Sequence, residues 1–295
     1  MAGQRPGVVA QVAPGLRRVL APNPSPMTLW GTNTWIVGEG DVAVIDPGPA
    51  DPAHLDAILA ALRPGERVAR IVVTHAHLDH TPLARPLAGE TGAPVLAFGD
   101  ARAGLDPAME AFAALGGGEG VDADFFPDEV LPDGGTVAAG GWELQAIHTP
   151  GHFGNHICLR WGEALFSGDH VMGWATSLVS PPDGSMTDFM ASLRRLQGLG
   201  LRRMYPGHGD PIEAPEARLA GLIAHREGRE AEILRALDAG PATPARLAAA
   251  IYRDTPAALL PAAERNVLAH LVDLVLRGLV TADPAPAPGA MFGRR

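Results

Sequence analysis

The stretch Ile71-Val72-Val73-Thr74-His75-Ala76-His77-Leu78-Asp79-His80 decides how the rest of the chain is read. Its first four residues are a β-branched run that predicts a buried strand. The remainder packs His75, His77, Asp79 and His80 into six residues. Metal ligands must be neutral or deprotonated and must converge on one point, and a tight loop leaving a strand end meets both needs. His75 and His77 share a side while the backbone is extended; Asp79 and His80, beyond the bend, can face a second centre. Burial in an ordinary core is a poor account, because four ionisable groups together are costly unless something cationic neutralises them.

Three later segments have a related form, a strand end followed by Gly and a ligand-type side chain. They are His152 in HTPGH, Asp169 in FSGDH and His208 in YPGHG. Each follows a glycine (Gly151, Gly168, Gly207), where a missing Cβ lets backbone approach a crowded site. Singly these are weak signals. As an ordered set behind the first cluster they are specific.

The order HxHxDH … H … D … H resembles the metallo-β-lactamase superfamily over about residues 20–213. The segments NPSPMTLWGTNTWIVG, YPGHGDPI and AHREGREAEIL, with the helical C-terminus, are similar to the β-lactamase-like protein 2 group, which resembles glyoxalase II in its metal site. The resemblance implies an α/β fold, a four-layered αβ/βα sandwich with its site at one edge of two sheets. It also implies the ligand sets: His75, His77 and His152 for a first metal, Asp79, His80 and His208 for a second, and Asp169 bridging. Asp46, in VIDPG, resembles the superfamily aspartate that supports the histidine loop, although an ordinary turn aspartate would read the same way. The expected cofactors are two divalent ions. Neutral imidazoles with few carboxylates suit zinc, while iron or manganese would also be accommodated. Such ions, ~3.5–4 Å apart, would bridge a hydroxide for attack on carbonyl carbon or phosphorus. Asp79 and Asp169 are the expected catalytic carboxylates.

Two departures from the family pattern matter. Thr81-Pro82 stands where the family commonly has two glycines, which predicts a helix starting directly against the site. All 23 basic residues are Arg, so the Lys-containing glutathione site of glyoxalase II is not transferable. Arg226 and Arg229 are the nearest basic candidates for a substrate anion; a solvated helix face shared with Glu227 and Glu230 competes with that reading. Val171, Met172, Trp174 and Leu178 form a candidate apolar strip, His170 a candidate pocket residue, and His156 a candidate brace for the loop after His152. Cys158, in a predicted strand, reads as a small buried hydrophobe.

Composition bounds the reading. A chain of 295 residues can bury roughly 75% of its unfolded surface, so its core needs no disulfide help. A net charge of −10 argues against a protein that coats nucleic acid or anionic membrane. No apolar run approaches the ~20 residues of a membrane span, and no secretory signal is legible, so a cytoplasmic protein is expected.

Strands are predicted at Thr32–Val37, Val42–Ile45, Ile71–Thr74, Pro94–Ala97, Thr136–Ile147, Ile157–Trp161 and Ala164–Phe166. Helices are predicted at Pro52–Leu62 behind Asp51, Leu83–Thr91 capped by Thr81, and Thr187–Leu199. The Gly-rich, acidic run Asp100–Gly135 reads as an exposed excursion packing through Phe125 and Phe126. Residues 1–213 are then a catalytic domain and 214–283 a small winged-helix-like domain. The latter has helices Pro215–Leu237, Pro244–Tyr252 and Pro261–Arg277 and a strand Leu279–Ala282. The Pro/Ala-rich 284–295 reads as a disordered tail.

The expected activity is hydrolysis of a small ester, thioester or lactone. The alternative is a phosphodiesterase or endoribonuclease on single-stranded RNA, which would want a basic groove with stacking aromatics. A β-lactamase is weaker, since a ligand Cys and substrate Lys are absent. DNA binding is disfavoured because Pro261–Arg277 carries no net positive charge. The appendage is expected to cover the active-site edge or form a homodimer contact.

Overall fold

The computed structural model describes residues 5–106, 109 and 120–295. The first sheet holds seven strands in chain order: β1 (Val9–Ala13), β2 (Leu16–Leu20), β3 (Asn33–Val37), β4 (Asp41–Ile45), β5 (Arg67–Val72), β6 (Val95–Ala97) and β7 (Glu129–Val130). β1 to β4 pair antiparallel and β4 to β7 parallel. Parallel neighbours need crossovers, supplied first by α1 (Pro52–Ala60) and α2 (Ala84–Thr91). Asp51 starts α1 by accepting from the Ala53 and His54 amides at 2.9 and 3.1 Å.

The second sheet has the order β12-β11-β10-β9-β8. Its strands are β8 (Thr136–Ala139), β9 (Trp142–His148), β10 (Ile157–Trp161), β11 (Ala164–Gly168) and β12 (Arg203–Pro206). β11 and β12 pair in parallel, joined through α3 (Met186–Leu196). Trp35, Ile45 and Val72 from the first sheet meet Leu144, Ile157 and Phe166 from the second in one core. Ile58 and Leu87 pack α1 and α2 on the first sheet's outer face. Phe189 and Leu193 of α3, with Leu219 and Leu222 of α4 (Pro215–Asp238), cover the second sheet. These are the four layers, helix, sheet, sheet, helix.

The C-terminal unit adds α5 (Pro244–Ile251), α6 (Leu260–Leu276) and the hairpin β13 (Val280–Asp283) with β14 (Met291–Arg294). Ile233, Leu247, Leu271 and Phe292 close its core. Among the described residues no helix is long and apolar enough to cross a membrane.

Several expectations are corrected. The 284–295 segment is no disordered tail: Met291–Arg294 pairs with Val280–Asp283, and Phe292 is fully buried. Proline-rich composition hides a strand whose stability comes from its partner. Thr136–Ile147 is two strands folded back at Gly140-Gly141, and β1 and β2 lie outside the strands predicted from sequence. In the Asp100–Gly135 excursion, of which 107–108 and 110–119 lie outside the described residues, Phe125 is buried but Phe126 is not. Phe126 is exposed beneath the Arg85 guanidinium at 4.5 Å. Thr81 caps nothing: α2 starts at Ala84 with no side-chain cap, and Thr81 Oγ1 donates to Asp122 Oδ2 at 2.6 Å. Thr81 thereby ties the histidine loop to the excursion at Asp122.

Candidate metal centre

Each ligand-type residue follows a strand end. Asp46 follows β4, the His75–His80 loop β5, His152 β9, Asp169 β11 and His208 β12. The two sheets meet so that these ends share one edge. His75 Nε2 and His152 Nε2 lie 2.9 and 3.2 Å from His77 Nδ1, one convergent trio. His208 Nε2 lies 3.2 Å from both Asp79 Oδ2 and Asp169 Oδ2. His80 Nε2 stands 3.4 Å from Asp79 Oδ2 and 3.6 Å from Asp169 Oδ1. Asp169 also approaches His152 Nε2 at 3.9 Å, so it sits between the two groups.

Glycine makes this convergence sterically possible. A Cβ on Gly207 would collide with Asp169 Oδ1 and stand 2.9 Å from His80 Cε1. Gly168 has φ +46°, and a Cβ there would meet His156 Nε2 at 2.5 Å.

The outer hydrogen bonds aim lone pairs inward. His152 Nδ1–H donates to the Leu178 carbonyl at 2.6 Å and His208 Nδ1–H to the Gly31 carbonyl at 3.1 Å. His80 Nδ1 meets Asp46 Oδ2 at 3.0 Å. Thr74 gives its hydroxyl proton to Asp46 Oδ2 and so accepts from His75 Nδ1–H at 3.0 Å. All four rings therefore present Nε2 to the centre, the arrangement by which a second partner fixes a metal-ligand imidazole. Asp46 itself is held at φ +50° and also accepts the Thr74 amide at 2.8 Å.

The electrostatics fit a cation. Burial holds His77 down to about 3 and lowers His75 and His152 as well, so this trio is neutral and ligand-competent. Burial would also lower His208, but the Asp169 and Asp79 carboxylates outweigh it and push it up to about 10. Burial opposes ionisation of those carboxylates, yet the His80 and His208 rings hold both well below the usual range. This corner asks for positive charge, which a divalent ion supplies while needing only neutral imidazoles. His80 Nε2 and Asp169 Oδ1 are buried without a hydrogen-bond partner, as donor atoms reserved for an ion would be.

Above the cluster lies a cleft of about 810 Å³. His77, Asp79, His152, Asp169 and His208 form its floor, and Met27, Met172, Leu178, Leu259, Ala262 and Leu268 supply apolar wall. The roof belongs to the C-terminal unit.

The other sequence candidates fall elsewhere. Trp174 lies against Gly209, outside the cleft lining, and Val171 is core. His170 does not line the cleft; it is fully buried beside Phe189. Arg226 is buried under the fold rather than solvated or substrate-facing, and Arg229 pairs with Glu232 at 2.6 Å beside Tyr252. Neither position follows from sequence, because helix periodicity cannot say which face a second domain covers. His156 braces the site by joining Thr149 Oγ1 (2.9 Å) to the Asp169 amide (3.2 Å). Sequence reading misses the wall from Ser25–Thr28, for which the NPSP turn is the one local signal; the wall from α6 agrees with the expectation that the appendage covers the active-site edge.

Comparison with known proteins agrees with this geometry. The model of the metallo-β-lactamase superfamily matches residues 27–208, and that of the β-lactamase-associated winged-helix domain matches 243–285. The chain belongs to the metallo-β-lactamase superfamily and is a hydrolase of that class, carrying a C-terminal winged helix. It is 31% identical over 280 residues to the β-lactamase-like protein 2 homolog of Drosophila melanogaster, covering 92% of this chain and 91% of the relative. It is 30% identical over 285 residues to the atrochrysone carboxyl ACP thioesterase of Aspergillus fumigatus, covering 90% and 81%. A metallo-β-lactamase family protein from Thermus thermophilus superposes with a TM-score of 0.77 at 26% identity, over 97% of this chain and all of that one.

Proposed function

We propose that this protein is a dinuclear, zinc-dependent hydrolase of small, largely apolar esters, thioesters or lactones. The observation that carries the reading is the wall of the cleft. Apolar side chains dominate it above the ligand floor, and Arg265 is the one arginine among the described residues that line it. A single-stranded RNA site would want several cations and stacking aromatics on that wall. The thioesterase name of a relative 30% identical supports the same class of substrate.

His75, His77 and His152 would hold one ion, Asp79, His80 and His208 the other, with Asp169 shared. When bound, the ions acidify water and polarise the oxygen of the scissile group. The chain's own residues do the rest. Asp79 is the more exposed of the two ligand carboxylates. Its Oδ2 accepts from Thr32 Oγ1 at 3.1 Å, which fixes the carboxylate beside the attacking water. Met172, Leu178 and Leu268 exclude solvent from the acyl group. Zinc is favoured by the excess of imidazole over carboxylate among the donors.

The test is metal analysis paired with a panel of thioesters, lactones, bis(p-nitrophenyl) phosphate and short RNA. Two equivalents of zinc with thioester or lactone turnover are expected. Phosphodiester or RNA cleavage without acyl hydrolysis would replace this reading with the nuclease one.

A further inference from the structure

We propose that Arg226 of α4 and Asn266 of α6 are positioning residues for the metal ligands, making the winged helix a structural part of the catalytic centre. The segment Met172–Val179 is fastened to the C-terminal helices at four points. Arg218 donates to the Met172 carbonyl through Nε (2.7 Å) and to the Ala175 carbonyl through Nη2 (2.5 Å). Arg226 Nη2 donates to the Ser177 carbonyl, and its Nη1 donates to Asn266 Oδ1 at 3.0 Å. The same Asn266 oxygen accepts the Val179 amide at 3.1 Å.

The fastened segment in turn holds two ligands. The Leu178 carbonyl, between the Arg226 and Asn266 attachments, takes the Nδ1 proton of His152 at 2.6 Å. Ser177 Oγ donates to the Asp169 carbonyl at 2.5 Å and to that of His170 at 3.0 Å. A shift of residues 177–179 therefore turns the His152 ring and moves the Asp169 backbone together.

Arg226 is otherwise hard to explain. Its side chain is almost entirely buried, its guanidinium bonds two neutral oxygens and lies 5.1 Å from the Phe189 ring, and Nε has no partner. Burying a guanidinium without a carboxylate is costly, and a charge-assisted bond that immobilises a ligand-bearing loop is a use commensurate with that cost. Asn266 shares α6 with Ala262 and Leu268 of the cleft wall. One helix therefore both lines the cleft and holds the clamp on the ligand-bearing loop.

The inference rests on the metallohydrolase reading, so zinc retention is measured apart from turnover, in the full-length protein, by competition with a chromogenic chelator. Asn266→Ala removes the shared acceptor but leaves the Leu178 carbonyl that His152 bonds; it should weaken zinc retention by up to about 10-fold, the lower end of what losing a ligand's direct outer partner costs. Asn266→Asp keeps the accepting oxygen and sets a carboxylate beside Arg226; it should retain zinc close to wild type. Leu247→Ala, in the winged-helix core, lowers the melting temperature without touching the clamp and should leave retention unchanged at temperatures where it is folded. Wild-type retention in Asn266→Ala, or equal loss in Leu247→Ala, overturns the proposal. A wild-type protein that takes up no zinc, iron or manganese instead overturns the metallohydrolase reading.

Discussion

At the scale of single residues, burial decides what each ionisable group does. The histidines of the first trio lose their charge to desolvation, and His75 and His152 keep a partner on Nδ1, so they can be both buried and useful. His270 on α6 is the contrasting case. It is buried, neither ring nitrogen has a partner, and burial, helped by the Arg226 charge, pushes it down to about 3. An unfolded chain would protonate His270 near 6.5 while the folded one stays neutral, so stability falls as pH drops through the window between those values. His270→Leu should raise stability at neutral pH by about 1–2 kcal/mol, the cost of an unsatisfied buried polar group. It should also flatten the stability curve across that acidic window. Urea unfolding at a series of pH values checks both.

At the scale of elements, alternation and punctuation are legible wherever local chemistry is sufficient. Asp51 and Thr243 cap the helices whose starts they mark, through bonds to amides two or three residues on. The strand expected at Ile71–Thr74 is observed as β5, Arg67–Val72: its β-branched end Ile71-Val72 is legible because a parallel strand covered on both faces needs apolar residues, while its start, with Arg67 and Arg70, is not. The elements that escape such reading are those defined by a partner. β1 carries Gln11 and half-exposed residues, and β14 is a short run behind prolines. Each is a strand because a neighbour offers its edge. Phe292 anchors β14 in the winged-helix core, so Phe292→Ala should cost about 3–5 kcal/mol, the range for a buried Phe. A calorimetric scan resolving a lower transition for the C-terminal unit would register it; an unchanged scan would mean the hairpin contributes no packing.

At the scale of the whole molecule, the cleft exists only because the winged helix lies over the ligand edge. Selectivity should therefore respond to substitutions far in sequence from any ligand. Ala262→Trp narrows the roof without touching the metal floor. It should raise KM for bulky acyl groups while leaving kcat/KM for acetyl esters nearly unchanged, which a chain-length series of p-nitrophenyl esters would read. Uniform loss across the series would place Ala262 outside the acyl path.

The sequence by itself determined the candidate ligand cluster. His75, His77, Asp79 and His80 lie close enough that a strand end and a bend must gather them, and local geometry needs no other information. The metallo-β-lactamase order of His152, Asp169 and His208 is legible for the same reason, since each stands just past a strand. Only the tertiary structure decided what surrounds that site: the buried position of Arg226, the retreat of His170 and Trp174 from the cleft, and which residues of α6 face it. Those facts depend on which faces two domains bury against each other, and side-chain spacing along one helix is compatible with several such packings.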